Sequence, residues 1–196
     1  MKPENGIILP ESFFANSDVV KAAKQLLGKV LCTKFDGKLT SGIITETEAY
    51  CGRNDKACHA NNGLRTKRTE VMYGPPGTAY IYLCYGIHHL FNVVTNREGL
   101  ADAVLIRGLK PADGIETMKQ RRGIGDLKNL TNGPGKLSQA LQISTSFSGH
   151  DLKSKPIWIE DRNVEINSEY IKTTPRIGVD YAGEDAKKPW RFLVAG

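Results

Sequence analysis

The 196-residue sequence has no apolar run approaching the ~20 residues a membrane-spanning helix requires, so such a helix is excluded on length. Its opening, M-K-P-E-N-G followed by I-I-L-P-E-S-F-F, is too short and too interrupted by Pro10 and Glu11 for a signal peptide. Cysteine is scarce. The four cysteines, Cys32, Cys51, Cys58 and Cys84, form no C-x-x-C and no paired spacing, which points away from a zinc site or a disulfide framework. Free thiols in a reducing cytosol are the plain reading, and the expected location is cytoplasmic. There is no repeat, no low-complexity tract and no linker that would divide the chain.

The length suits one domain over 1–196, with 1–8 expected as a loosely ordered N-terminal segment. A chain of this size buries roughly 70% of its unfolded surface, so no metal or disulfide staple is needed. Lys and Arg outnumber Asp and Glu by 27 to 21, a net charge of +6 that suits a polyanionic partner without identifying one.

Ser17 followed by D-V-V-K-A-A-K-Q-L-L-G predicts a capped helix with Val19, Ala23, Leu26 and Leu27 on its inner stripe and Gly28 as its stop. Lys29 to Phe35 alternates as a strand, Asp36-Gly37 signals a two-residue hairpin, and Lys38 to Tyr50 returns as its partner. Alternation puts Glu46, Glu48 and Tyr50 on one face of that strand and Thr45, Thr47 and Ala49 on the other. Two carboxylates and a tyrosine in line suggest a face that lines a cleft.

Residues 51–74 form a long polar loop with Asp55, His59 and the basic group Arg65, Lys67 and Arg68; a loop this long is more often functional than idle. A-Y-I-Y-L-C-Y and H-H-L-F-N-V-V-T read as strands around Gly86, with Tyr80 and Tyr82 on one face and Tyr85 at a tip, suited to a protruding side chain. A-D-A-V-L-I-R is expected as a short buried strand ending in Arg107, which should pair with Glu48 or Glu46. Pro111 is expected to open a helix whose end collects Lys119, Arg121 and Arg122. A second helix start follows G-P-G-K, where Gly135 and Lys136 offer an anion site. P-I-W-I-E, R-I-G-V-D-Y-A-G-E and P-W-R-F-L-V are expected to add strand-like pieces. The hairpin signals favour antiparallel pairing: a single mixed α/β (α+β) domain with a curved, largely antiparallel sheet and helices around it.

Singly, these residues have ordinary explanations. A strand glutamate is usually an ion-pair partner, strand tyrosines are common, and a loop histidine is usually exposed. Asn92 is less ordinary, because strands disfavour asparagine and a buried amide needs partners. The combination is more specific. T-E-A-Y, D-K-A-C-H, Y-I-Y-L-C-Y-G with Asn92 beyond it, L-I-R, E-T-M-K-Q-R-R, G-P-G-K-L-S-Q-A-L, R-I-G-V-D-Y-A-G-E and K-P-W-R-F are colinear from about Leu9 to Gly196. Together they resemble the alkyladenine (3-methyladenine, or methylpurine) DNA glycosylase family. The long N-terminal tail of mammalian members has no counterpart here, so a compact bacterial-type member is expected.

The resemblance implies a monofunctional glycosylase of base excision repair acting on double-stranded DNA with damaged purines, as a monomer, without cofactor, metal or lyase activity. Tyr85 matches the wedge that fills the stack when a nucleotide is flipped out. Tyr50, His59 and Tyr82 match the residues that clamp the base, and Asn92 matches the one that crowds the 2-amino group of guanine. Glu48 matches the residue that activates and aims water at the sugar C1′, and Arg107 the arginine beside it. Arg65, Arg68, Gly135, Lys136 and the cluster from Lys119 to Arg122 are candidates for DNA backbone contacts by charge and position. One departure concerns grip on DNA: mammalian relatives carry Met and Tyr where this chain has Ile87 and His88. Two other readings compete, a hydrolase of free nucleosides and a non-catalytic nucleic-acid-binding domain that stacks bases on the tyrosines.

Overall fold

The computed structural model describes residues 6–195. Its strands are β1 (Ile7–Ile8), β2 (Val30–Phe35), β3 (Lys38–Tyr50), β4 (Ala79–Cys84), β5 (His88–Thr95), β6 (Asp102–Asp113), β7 (Lys153–Ser154), β8 (Ile157–Asp161), β9 (Ile171–Thr174) and β10 (Arg191–Val194). The α-helices are α1 (Glu11–Phe14), α2 (Val19–Leu26), α3 (Ile115–Arg122) and α4 (Pro134–Ala140). All ten strands join one antiparallel sheet whose main path runs β1-β8-β2-β3-β6-β5-β4, with β10 beside β3 and β9 beyond it. The α+β expectation holds. Of the N-terminal segment 1–8, residues 1–5 lie outside the described residues, while Ile7 and Ile8 pair with Asp161 and Glu160.

The β2–β3 hairpin forms as its turn chemistry dictates. Asp36 and Gly37 both take positive φ, 51° and 74°, the geometry that lets a two-residue turn follow the twist of its strands. β3 is long enough to serve two neighbours on one side: Lys38 to Ile43 pairs with β2, and Glu46 to Glu48 pairs with β10. Along its other side it pairs with β6.

Helix α2 starts one residue later than its cap signal suggests. Asp18, rather than Ser17, is the cap, its carboxylate accepting from the Val20 and Lys21 amides, because an anion at that position meets two orphan donors. Val19, Ala22, Ala23 and Leu26 are buried, and the helix packs on β3 and β6. The core combines this face with Ile44, Ile81, Phe91, Val93, Val104 and Ile106 of the sheet and Met118 and Leu137 of the flanking helices.

Two expectations are corrected here. Arg107 does not end a short strand and Pro111 opens no helix: β6 continues through Pro111 to Asp113, and α3 begins at Ile115. Pro111 is tolerated because a register shift between Ser41 and Gly42 lies opposite it, at an interruption of the ladder. The R-I-G-V-D-Y-A-G-E segment is not strand-like either; from Asp180 it forms tight 3₁₀ turns broken at Gly183, whose φ is 60°.

Candidate active site

A cleft of about 630 Å³ opens beside the end of β3. Tyr50, His59, Tyr82, Asn92, Arg107 and Tyr85 all line it. Six expected site residues, drawn from four strands, a loop and a turn, thus meet at one depression.

Glu48 lies behind that wall with a fully buried side chain. Its Oε2 accepts from the Tyr50 hydroxyl at 2.6 Å, and its Oε1 from the Ile177 amide at 2.8 Å. The Arg107 guanidinium stands 3.4 Å from Oε1 and also bonds Glu46 at 3.0 Å. Glu46 in turn accepts from Arg191 at 2.6 Å, so two arginines flank two carboxylates. A carboxylate offers about four lone-pair sites, so Glu48 keeps acceptor capacity for a further donor.

The backbone explains why Arg107 reaches both. Ile44 pairs with Leu109, Glu46 with Gly108 and Thr47 with Ile106. Thr45 is therefore the extra residue on one strand and Arg107 the extra residue on the other, two opposed bulges that leave the register intact beyond them. A bulge frees its residue from the pleat and re-aims its side chain. Gly108 leaves room for Glu46, whose Cβ would lie 3.2 Å from a Cβ at that position. On the opposite face Thr47 turns away to donate to the Ala23 carbonyl of α2, so the expected alternation of β3 is what separates site from core.

The aromatic wall is built as edges and faces. His59 and Tyr82 meet edge to face with centroids 4.6 Å apart, and Tyr80 and Tyr82 lie 5.6 Å apart. His59 Nδ1 is 2.9 Å from the hydroxyl of the buried Tyr80, which fixes the ring's orientation. Burial, aided by the charge of Arg68, pushes His59 down to about 4, so it is neutral at neutral pH. Burial first, and then Glu48, hold the Tyr50 phenol well above its usual range, so it stays a donor. Asn92 donates to the Tyr80 and Leu90 carbonyls at 3.0 and 3.3 Å.

At the rim Tyr85 is 89% exposed with φ of 51°, on the tip between β4 and β5. Ile87 follows, 70% exposed. Of the candidates for DNA backbone contacts, Arg68, Gly135 and Lys136 line the cleft. Lys136 is held by Asn129 and Asn132, and Gly135 lies under His88, whose ring would collide with a Cβ there. Arg65 is not in the lining; it pairs with Glu70 and stacks on Tyr73. Lys119 pairs with Glu116 within α3, while Arg121, through Thr40 and the Ala140 carbonyl, and Arg122, through Gln139, tie that helix to its surroundings; none of the three lines the cleft. No group of three or more His, Cys, Asp or Glu among the described residues is arranged to hold a metal ion, and all four cysteines are free.

A profile of the methylpurine-DNA glycosylase (MPG) family matches residues 12–196. The chain belongs to this family. A Chlamydia felis relative bearing the name "Putative 3-methyladenine DNA glycosylase" is 51% identical over 189 residues, covering 95% of this chain and 96% of the relative. A Bacillus cereus protein of the same name is 48% identical over 196 residues, covering 95% of each.

For a methylpurine-DNA glycosylase family member, the segment after Pro175 adds site residues that sequence reasoning did not single out. Ile177, Gly178, Val179 and Tyr181 line the cleft, and the Tyr181 hydroxyl donates to the Ala57 carbonyl at 3.1 Å. The only signal for them in the chain is R-I-G-V-D-Y-A-G-E itself, which says nothing about a contact with Glu48. No helix among the described residues is long and apolar enough to cross a membrane.

Proposed function

We propose that this chain is a monofunctional glycosylase that binds duplex DNA, flips out an alkylated or deaminated purine and hydrolyses its N-glycosidic bond, leaving an abasic site. The substrates proposed are 3-methyladenine, 7-methylguanine, hypoxanthine and ethenoadenine. The observation that carries this reading is a fully buried Glu48 held by Tyr50, Arg107 and the Ile177 amide, behind a cleft whose rim carries an almost fully exposed Tyr85.

Tyr85 enters the stack as the nucleotide leaves, offsetting an unstacking cost of a few kcal/mol. The base then lies between Tyr50 and the His59–Tyr82 pair, where stacking contributes roughly 1 to 3 kcal/mol and a cationic alkylated purine gains further from the electron-rich rings. Asn92 crowds the guanine 2-amino group, and the His59 amide reads the purine edge. Water takes the remaining acceptor position of Glu48, which draws off its proton as oxygen approaches C1′. The carboxylate also stabilises the positive charge growing on the sugar. Arg107 holds that carboxylate in place. Arg68, Lys136 and the Gly135 amide meet phosphates at the cleft mouth. The chain supplies every one of these groups, so the monomer is the proposed working unit, acting on chromosomal DNA in the cytoplasm.

The test is release of free bases from methylated genomic DNA. Chromatography should find 3-methyladenine and 7-methylguanine in the supernatant with no strand breaks before alkali. Tight DNA binding with no base released would favour a non-catalytic stacking domain.

A further inference from the structure

Asp55 and Arg176 form a salt bridge with both side chains fully buried, outside the groups that touch substrate in the proposed reaction. The contact is forked: Arg176 Nη1 meets Oδ2 at 2.5 Å and Nη2 meets Oδ1 at 2.7 Å. Burying two charges costs several kcal/mol per ion, so a pair of this kind adds little stability for its own sake. What it joins is more telling.

Arg176 also donates to the Ala49 carbonyl at 2.8 Å and to the Asp185 carbonyl at 3.0 Å, and its guanidinium sits 4.8 Å from the centroid of the Tyr50 ring. The next residue is Ile177, whose amide reaches Glu48 Oε1. Asp55 accepts from the Ala57 and Cys51 amides at 3.2 and 3.3 Å, and its own carbonyl accepts from Cys58 at 2.9 Å. His59 follows directly. One ion pair therefore fixes the end of β3 with Tyr50, the loop carrying His59, and the loop that presents an amide to Glu48.

We propose that Asp55 and Arg176 are positioning residues: the buried fork sets the Ile177 amide against Glu48 and holds the Tyr50 and His59 walls at their spacing, and so governs the chemical step more than DNA affinity. This rests on the glycosylase reading above. The geometry demands a fork, since a lysine ammonium supplies charge without two parallel donors in one plane.

The experiment compares wild type, Arg176→Lys and Asp55→Asn in three readouts: single-turnover excision of hypoxanthine from a duplex, DNA dissociation constant, and the amide proton resonance of Ile177. In wild type that resonance lies downfield, as for an amide bonded to a carboxylate. Both variants should move it upfield, slow excision on the order of 10- to 100-fold and leave the dissociation constant within about 2-fold, the pattern expected of slight misplacement. An unmoved resonance, an unchanged excision rate, or loss of folded protein in both variants would overturn the assignment, the last by making the pair a folding element. If wild type releases neither hypoxanthine from this duplex nor methylated purines from methylated DNA, the glycosylase reading fails, and the Ile177 resonance still decides whether the pair positions the amide.

Discussion

The Tyr50 hydroxyl donates to Glu48 Oε2 at 2.6 Å, so a ring on the cleft wall and the carboxylate behind it are one unit. Moving either moves the other. Tyr50→Phe keeps a stacking face and removes the donor. Hydrogen bonds to charged groups contribute roughly 1.5 to 3 kcal/mol, so excision should slow on the order of 10- to 100-fold with DNA affinity retained, in single-turnover and anisotropy measurements on the same duplex.

Tyr85→Gly separates function from stability. Tyr85 holds φ at 51°, a region costly for residues with a Cβ and free for glycine, and its side chain is solvent-exposed. Relief of strain and the added freedom of the unfolded chain roughly cancel, so unfolding free energy should change by less than about 1 kcal/mol. Excision from duplex should fall sharply, and less from single-stranded substrate, because no stack has to be filled there. Equal losses on both would remove the wedge role.

His59 gives a stability profile with a defined sign. Its folded value is lowered from 6.5 to about 4, so between those pH values the unfolded chain binds a proton that the folded chain rejects. This contribution is complete above pH 6.5 and is lost as pH falls toward 4. Urea midpoints of wild type should decline more steeply from pH 7 to 5 than those of His59→Asn. A His59-dependent limb in the excision profile near pH 6.5 would contradict a neutral ring.

Asn92→Ser should relax selectivity. The substitution opens space at the purine edge and weakens bonds to the Tyr80 and Leu90 carbonyls, at a cost of about 1 to 3 kcal/mol in unfolding free energy. Release of guanine from undamaged DNA should rise above wild type. Unchanged guanine release, with lesion excision intact, would remove Asn92 from discrimination.

What could be read from the chain was what short range decides. The Asp36-Gly37 turn, the period-2 face of Glu46, Glu48 and Tyr50, and the tip before Gly86 follow from local conformational preference, and the structure shows each. Arg107 was expected to find Glu48 or Glu46 and stands within 4 Å of both, because an arginine amid apolar strand residues has few partners available. The Ile177 amide could not be foreseen: it meets Glu48 from 129 positions away, and a backbone donor leaves no mark in composition. Pro111 misled because its helix-opening preference yields to a ladder interruption that only the β3–β6 register creates. Lys119, Arg121 and Arg122 suggested phosphate by their charge, but charge does not say which way α3 faces, and none of the three lines the cleft.

The most direct test uses a duplex carrying one hypoxanthine or one ethenoadenine, incubated with wild type or Glu48→Gln and then treated with or without alkali. The account predicts cleavage only after alkali, only at the lesion, and only with Glu48 intact, the variant falling by ~10²- to 10⁴-fold while still binding the duplex. Excision by Glu48→Gln at the wild-type rate would contradict the account at its centre.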